Sequence, residues 1–144
     1  MTDWTRIAEH ISQTGGEPFR PRANRPVGGG CINTAAVLED GAKRWFVKLN
    51  DASRLDMFEA EADGLQGLAE PRVLRVPEVL GWGGSGTTRE PAWLLLEFIA
   101  TGSPGRDYGE RLGLGLAKLH SSPPGTLPSF GWRRDNFIGS LLQE

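Results

Sequence analysis

A glycine run, Gly28-Gly29-Gly30-Cys31-Ile32-Asn33, and a lysine inside an apolar segment, Phe46-Val47-Lys48, are the residues of this chain best suited to chemistry. A loop without side chains lets backbone N–H groups approach a phosphate. A lysine on a neighbouring strand adds a point charge for the same anion. Taken alone, the glycine run suits a tight turn between two strands equally well, and most strand lysines are solvated. No Gly-Lys-Ser/Thr follows the run, so it is not a Walker A loop, and a strand rather than a helix follows it, unlike the dinucleotide fingerprint.

Several elements must position these groups. Trp4, Ile7, Ala8 and Ile11 fall on one helical face, and Gly15-Gly16 stops that helix. A first strand is expected over 23–27, with Pro26 marking an edge. Residues 33–38 and 43–49 form a hairpin around Asp40-Gly41. Its second strand carries Trp45, Phe46, Val47 and Leu49, apolar on both faces as a covered strand would be. Leu55, Phe58, Ala62, Leu65 and Ala69 then make a helical stripe. On that helix Glu61 leans inward near Leu65 and Leu68, while Glu59 lies on the opposite edge with Asp63 and Gln66.

Residues 73–80 read as an extended segment interrupted by Pro77, 81–89 as a glycine-rich loop, and 92–99 as a buried strand. Gly102, Pro104 and Gly105 break regular structure over 101–105, the best lobe boundary. Tyr108, Leu112, Leu116 and Leu119 form another helical stripe, where Gly113 and Gly115 permit close packing. A Pro/Ser loop spans 121–128. The tail, 130–139, is rich in contact-forming side chains and lacks periodicity.

Composition narrows the functions. The chain has 144 residues, 38% hydrophobic and 24% charged, enough for one domain with a core, or one domain and part of another. A net charge of −2 without a basic block argues against nucleic acid and anionic membrane as partners. One cysteine permits no internal disulfide, and a cytoplasmic setting is expected. The start has no apolar leader, and no apolar run is long enough to span a membrane. His10, His120 and Cys31 lack metal-ligand spacing.

The order strand, glycine loop, strand, turn, lysine strand, helix with an inward acid is that of a kinase-like small lobe. There the lysine contacts phosphates and the helix acid holds the lysine. The strand ending Leu95-Leu96-Glu97-Phe98-Ile99, just before the breaker-rich linker, reads as the hinge that pairs with an adenine edge; it also reads as a core strand with an exposed glutamate. The expected fold is α+β. A five-stranded antiparallel sheet with a helix packed on it is followed by the start of a mostly helical large lobe. The boundary divides a nucleotide-binding lobe, 1–100, from a linker and the beginning of a second lobe, 101–144.

Blocks spread along the chain resemble the fructosamine (ketosamine) kinases. They are Gly-Gly-Cys-Ile-Asn at 29–33, Phe-Val-Lys-Leu-Asn at 46–50, Met-Phe-Glu-Ala-Glu at 57–61, Arg-Val-Pro-Glu-Val-Leu at 75–80, Leu-Ala-Lys-Leu-His at 116–120 and Phe-Gly-Trp-Arg-Arg-Asp-Asn-Phe-Ile-Gly at 130–139. The resemblance implies a protein-kinase-like fold of the aminoglycoside-phosphotransferase branch. It implies ATP- and Mg2+-dependent phosphorylation of the sugar O3 of ketosamines, small molecules or glycated protein lysines, after which the unstable phosphate decomposes and frees the amine. It makes Gly28, Gly29, Gly30, Cys31, Ile32 and Asn33 the phosphate-covering loop. Lys48 becomes the phosphate lysine, Glu61 its partner, and Glu97, Phe98 and Ile99 the adenine hinge. Asp135-Asn136 either shapes the cleft or forms a turn, and structure is the favoured role.

The resemblance covers the first half of such an enzyme. The family's His-Gly-Asp-Leu-Trp-x-Gly-Asn segment and the magnesium-binding aspartate after it do not occur in these residues. Arg134-Asp135 is no substitute, since Ser140 stands where a catalytic loop needs asparagine. No catalytic or metal-ligating residue is therefore assigned, and the 144 residues alone are expected to have negligible kinase activity. Two alternatives stand beside this reading: another small-molecule kinase of the aminoglycoside or choline branch, and a non-catalytic, pseudokinase-like fragment. Cys31, in a loop rich in N–H groups that favour thiolate, is either a tolerated small residue or a redox-sensitive thiol. Dimerisation through Cys31, or through apolar surface of the last helix and tail, follows as an expectation.

Overall fold

The computed structural model describes residues 4–28, 32–84, 90–122 and 131–143. Gly29, Gly30 and Cys31, and with them the middle of the glycine loop, lie outside the described residues.

Strands β1 (Ala23–Val27), β2 (Thr34–Asp40), β3 (Lys43–Asn50), β4 (Val79–Gly83) and β5 (Ala92–Glu97) form a five-stranded sheet. Its order is β1-β2-β3-β5-β4, and every neighbouring pair is antiparallel. Helix α1 (Thr5–Gly15) precedes the sheet, α2 (Leu55–Ala69) lies between β3 and β4, and α3 (Tyr108–Ser121) follows β5. The chain is thus α+β, with the lysine strand at the middle of the sheet.

Strand alternation splits the core into two layers. Val47 and Leu49 of β3 join Leu38 and Leu95 against Ile7 and Ile11 of α1. Phe46 of β3 joins Leu94 and Leu96 against Phe58 and Ala62 of α2. Leu38, Val47, Leu94 and Leu95 are fully buried. The double-sided apolar pattern of β3 therefore reflects a helix on each face of the sheet. Gly41 takes the left-handed conformation (φ 61°) in the β2–β3 turn, where the hairpin was expected.

Strand β4 departs from expectation. It begins at Val79, later than the extended segment anticipated over 73–80, and continues through Gly83 into the stretch read as loop. Pro77 has no N–H to give a ladder, and a register shift separates Val79 from Gly81. The glycines here serve close packing. A Cβ at Gly81 would overlap the His10 ring, and one at Gly83 would sit 2.8 Å from the Trp93 ring. His10 Nε2 donates to the Leu80 carbonyl at 3.0 Å and its ring lies 5.2 Å from that of Trp93, which ties α1 to this strand.

Helix α3 also differs. Its expected stripe is largely in solvent: Tyr108, Leu112 and Leu116 are exposed, while Gly115 is the buried residue. Gly115 lets the helix approach Leu74, whose side chain occupies the space a Cβ would need; Gly113 has no such neighbour. The aperiodic tail forms a small hairpin, β6 (Asn136–Ile138) and β7 (Leu141–Gln143), turning at Gly139 with φ 64°. It folds back onto α2.

Candidate functional site

Three elements converge on Lys48. As the residue paired with Leu94 across the ladder, it points from the α2 face of β3. Helix α2 packs that face through Phe58 and Ala62, and Glu61, beside that stripe, reaches the lysine. Lys48 Nζ donates to Glu61 Oε1 at 2.6 Å, with the two side chains 25% and 32% exposed. Neither is locked away, so the ammonium keeps donors for a further anion.

The glycine loop closes on the same region from its C-terminal end. Asn50 Nδ2, at the end of β3, donates to Asn33 Oδ1 at 2.7 Å. Ile32 and Asn33 line a cavity of about 360 Å3 with Glu61, Phe58, Asn136 and Phe137. The loop's other end, Val27 and Gly28, borders a second cavity. No positive φ and no neighbouring atom demands a glycine at 28; a Cβ there would project into open space.

That second cavity, of about 570 Å3, runs between β1 and the chain leaving β5. Val37, Phe46 and Leu96, neighbours in one row across β2, β3 and β5, line it together with Val27, Phe98, Ile99 and Thr101. Its size and apolar lining with few polar groups are those of a small-molecule cleft. Arg44 covers the Phe98 ring at 4.5 Å from its centroid, which steadies the segment beyond the strand.

Glu97 enters this arrangement differently from Phe98 and Ile99. It pairs with Trp45, on the α1 face of the sheet. Its carboxylate accepts from Arg75, and its N–H donates to the Glu78 carbonyl at 2.9 Å. Glu97, Phe98 and Ile99 all line the cleft, and Phe98 and Ile99 are the two free of the strand ladder.

A further cluster lies on the other flank of α2. Asp63 Oδ2 accepts from Trp132 Nε1 at 2.6 Å, and Oδ1 accepts from Arg133 Nε at 3.1 Å. The Asp63 side chain is only 13% exposed. The Arg133 hydrogen bond above all, with help from Trp132, holds its carboxyl below the usual carboxylate range against the opposing effect of burial. Arg134 lies 3.6 Å from Glu59. Sequence reasoning placed Glu59 and Asp63 on a common edge but gave them no partner. The signal was there in Trp132-Arg133-Arg134, two adjacent cations facing two acids one helical turn apart.

Among the described residues no group of three His, Cys, Asp or Glu side chains could hold a metal ion, and no helix is long and apolar enough to cross a membrane.

A family model described as fructosamine kinase matches residues 3–144. A Synechocystis protein named a probable ketoamine kinase is 43% identical over 140 residues, covering 97% of this chain and 46% of that protein. A chloroplastic protein-ribulosamine 3-kinase of Arabidopsis thaliana is 39% identical over 122 residues, covering 81% of this chain and 35% of that protein. A Haemophilus somnus crystal structure assigned by name to the fructosamine-3-kinases superposes with a TM-score of 0.86 at 26% identity, covering 98% of this chain and 46% of that one. The chain thus spans less than half the length of these relatives.

Proposed function

The chain belongs to the fructosamine kinase family, and on that premise we propose that it carries the nucleotide-binding part of an ATP-dependent kinase for ketosamines. The observation that supports this most is the 2.6 Å Lys48–Glu61 pair on the strand whose Phe46, two residues before Lys48, lines the apolar cleft with Val27 and Leu96. The adenine edge would meet the backbone of Phe98 and Ile99, with Glu97 positioning the strand end through Arg75 and Glu78. Gly28 and the loop to Asn33 would cover the phosphates. Lys48 would hold phosphate oxygens while Glu61 keeps its ammonium in place. Bound ATP supplies the phosphoryl group, and the acceptor is the sugar O3 hydroxyl of a ketosamine, either a small molecule or a glycated protein lysine. The phosphorylated adduct then decomposes, releasing the amine. Mg2+ accompanies the nucleotide, and none of the residues named here is its ligand. The lobe 1–100 holds the nucleotide, 101–144 begins the second lobe, and the setting is the cytoplasm.

These 144 residues by themselves are proposed to bind ATP without transferring its phosphate. Calorimetric titration with ATP tests the first half: Lys48→Ala should lose about tenfold or more in affinity, the size of a charge-assisted hydrogen bond. Equal affinity in the variant would remove Lys48 from the site. A coupled ADP-release assay with a fructosamine substrate tests the second half, where turnover by this chain would overturn the proposal.

A further inference from the structure

The face of α2 turned away from the sheet is covered by the tail. At about 100° per residue around the helix, Phe58, Ala62 and Leu65 face the sheet. Glu59, Asp63 and Gly67 form a row on one flank. Met57 and Ala60 lie off the sheet stripe yet are buried, and both line the cavity that Asn136, Phe137 and Gly139 close. A Cβ at Gly67 would overlap the Trp132 ring. The tail therefore crosses α2 from the Asp63 flank to the flank of Glu61, and at Gly139 it comes up against Ile32 at the end of the glycine loop.

Among these contacts Asp63 is the anchor. Its two carboxylate oxygens take up Trp132 and Arg133 together, and it is more sheltered than either donor residue. With the sheet on one side and the tail on the other, the helix cannot roll about its axis without breaking these bonds. Rolling is the motion that would swing Glu61 away from Lys48.

We propose that Asp63 is a positioning residue for the Lys48–Glu61 pair: by fastening Trp132 and Arg133 to α2, it sets the rotation of the helix that aims Glu61 at Lys48. This rests on the nucleotide reading above for what the pair does. The positioning itself can be measured without nucleotide.

The test is the rate at which an amine-acylating reagent modifies Lys48 in this chain, read by mass spectrometry, with Lys118 as internal reference. Asp63→Ala should expose Lys48, raising its rate several-fold while that of Lys118 stays unchanged. Trp132→Phe, which deletes one donor, should act in the same direction but less. Asp63→Asn, which retains an acceptor oxygen, should fall between Asp63→Ala and the parent. An unchanged Lys48 rate in Asp63→Ala, even with a lowered melting temperature, would overturn the proposal and leave Asp63 a merely structural tie. Should Asp63→Ala not fold, Trp132→Phe is judged by the same criterion.

ATP titration of the same variants separates the two readings. If the parent chain fails to bind ATP but Lys48 labelling responds to Asp63, the nucleotide reading falls and the positioning role stands. If ATP binds and labelling is indifferent to Asp63, the reverse holds. Where both hold, Asp63→Ala should add no further loss of ATP affinity in a Glu61→Gln background, because Asp63 acts through Glu61.

Discussion

Lys48 on the central strand and Glu61 on α2 meet at 2.6 Å, two residues along β3 from Phe46, which lines the apolar cleft. A partly exposed ion pair of this kind contributes about 1 kcal/mol to stability at most. Its value lies in holding one ammonium in a fixed place. Glu61→Gln should therefore leave the melting temperature within a few degrees of the parent, while ATP affinity falls by about three- to tenfold, as for one weakened hydrogen bond to a charged group. Paired melts and titrations check this. A large loss of stability with unchanged affinity would make the pair a structural strut.

Two glycines of α2 should behave in opposite ways. Gly67 faces the Trp132 ring, whereas a Cβ at Gly64 would meet nothing within 4 Å. Gly67→Ala should destabilise by about 1–3 kcal/mol through overpacking and shift the Trp132 indole resonance. Gly64→Ala should stabilise by about 0.5–1 kcal/mol through helix propensity. Denaturant melts give both signs. The same sign for both would mean that the tail does not lie on α2 as described.

The Asp63 tie should be acid-sensitive. Its folded carboxyl lies below the ordinary value near 3.8, chiefly through the Arg133 hydrogen bond. A depressed carboxylate adds stability that is fully present above the unfolded value and is lost as pH falls through the folded one. Arg133 stays charged throughout. Amide protection along 131–143, measured relative to the intrinsic exchange rate at each pH, should thus hold down to about pH 4 and fall below it. Release between pH 5 and 7 would assign the tie to other groups.

Much of this was legible in the residues. The double-sided apolar run of Trp45, Phe46, Val47 and Leu49, interrupted by Lys48, and the stripe of Leu55, Phe58 and Ala62 placed Lys48 and Glu61 on elements that do meet. Each pattern reports burial directly, and burial brings those elements together. Gly81 and Gly83 misled because glycine usually marks loops. Here His10 and Trp93, distant in sequence, need the space. The stripe of α3 misled for the opposite reason: periodicity records an apolar face, not what covers it. The Trp132 and Arg133 contacts with Asp63 depend on where an aperiodic tail returns, which no local pattern encodes. Glu97 fell inside a buried strand, but its face followed from register with Trp45, known only once β3 and β5 were paired.

Nucleotide is proposed to occupy the cleft lined by Val27, Phe46, Leu96 and the 98–99 segment. Amide chemical-shift mapping on titration with ATP locates the nucleotide. Saturable shifts are expected at Gly28, Lys48, Phe98 and Ile99, with little change in α1. Shifts confined to other surfaces, or none at millimolar ATP, would contradict this placement.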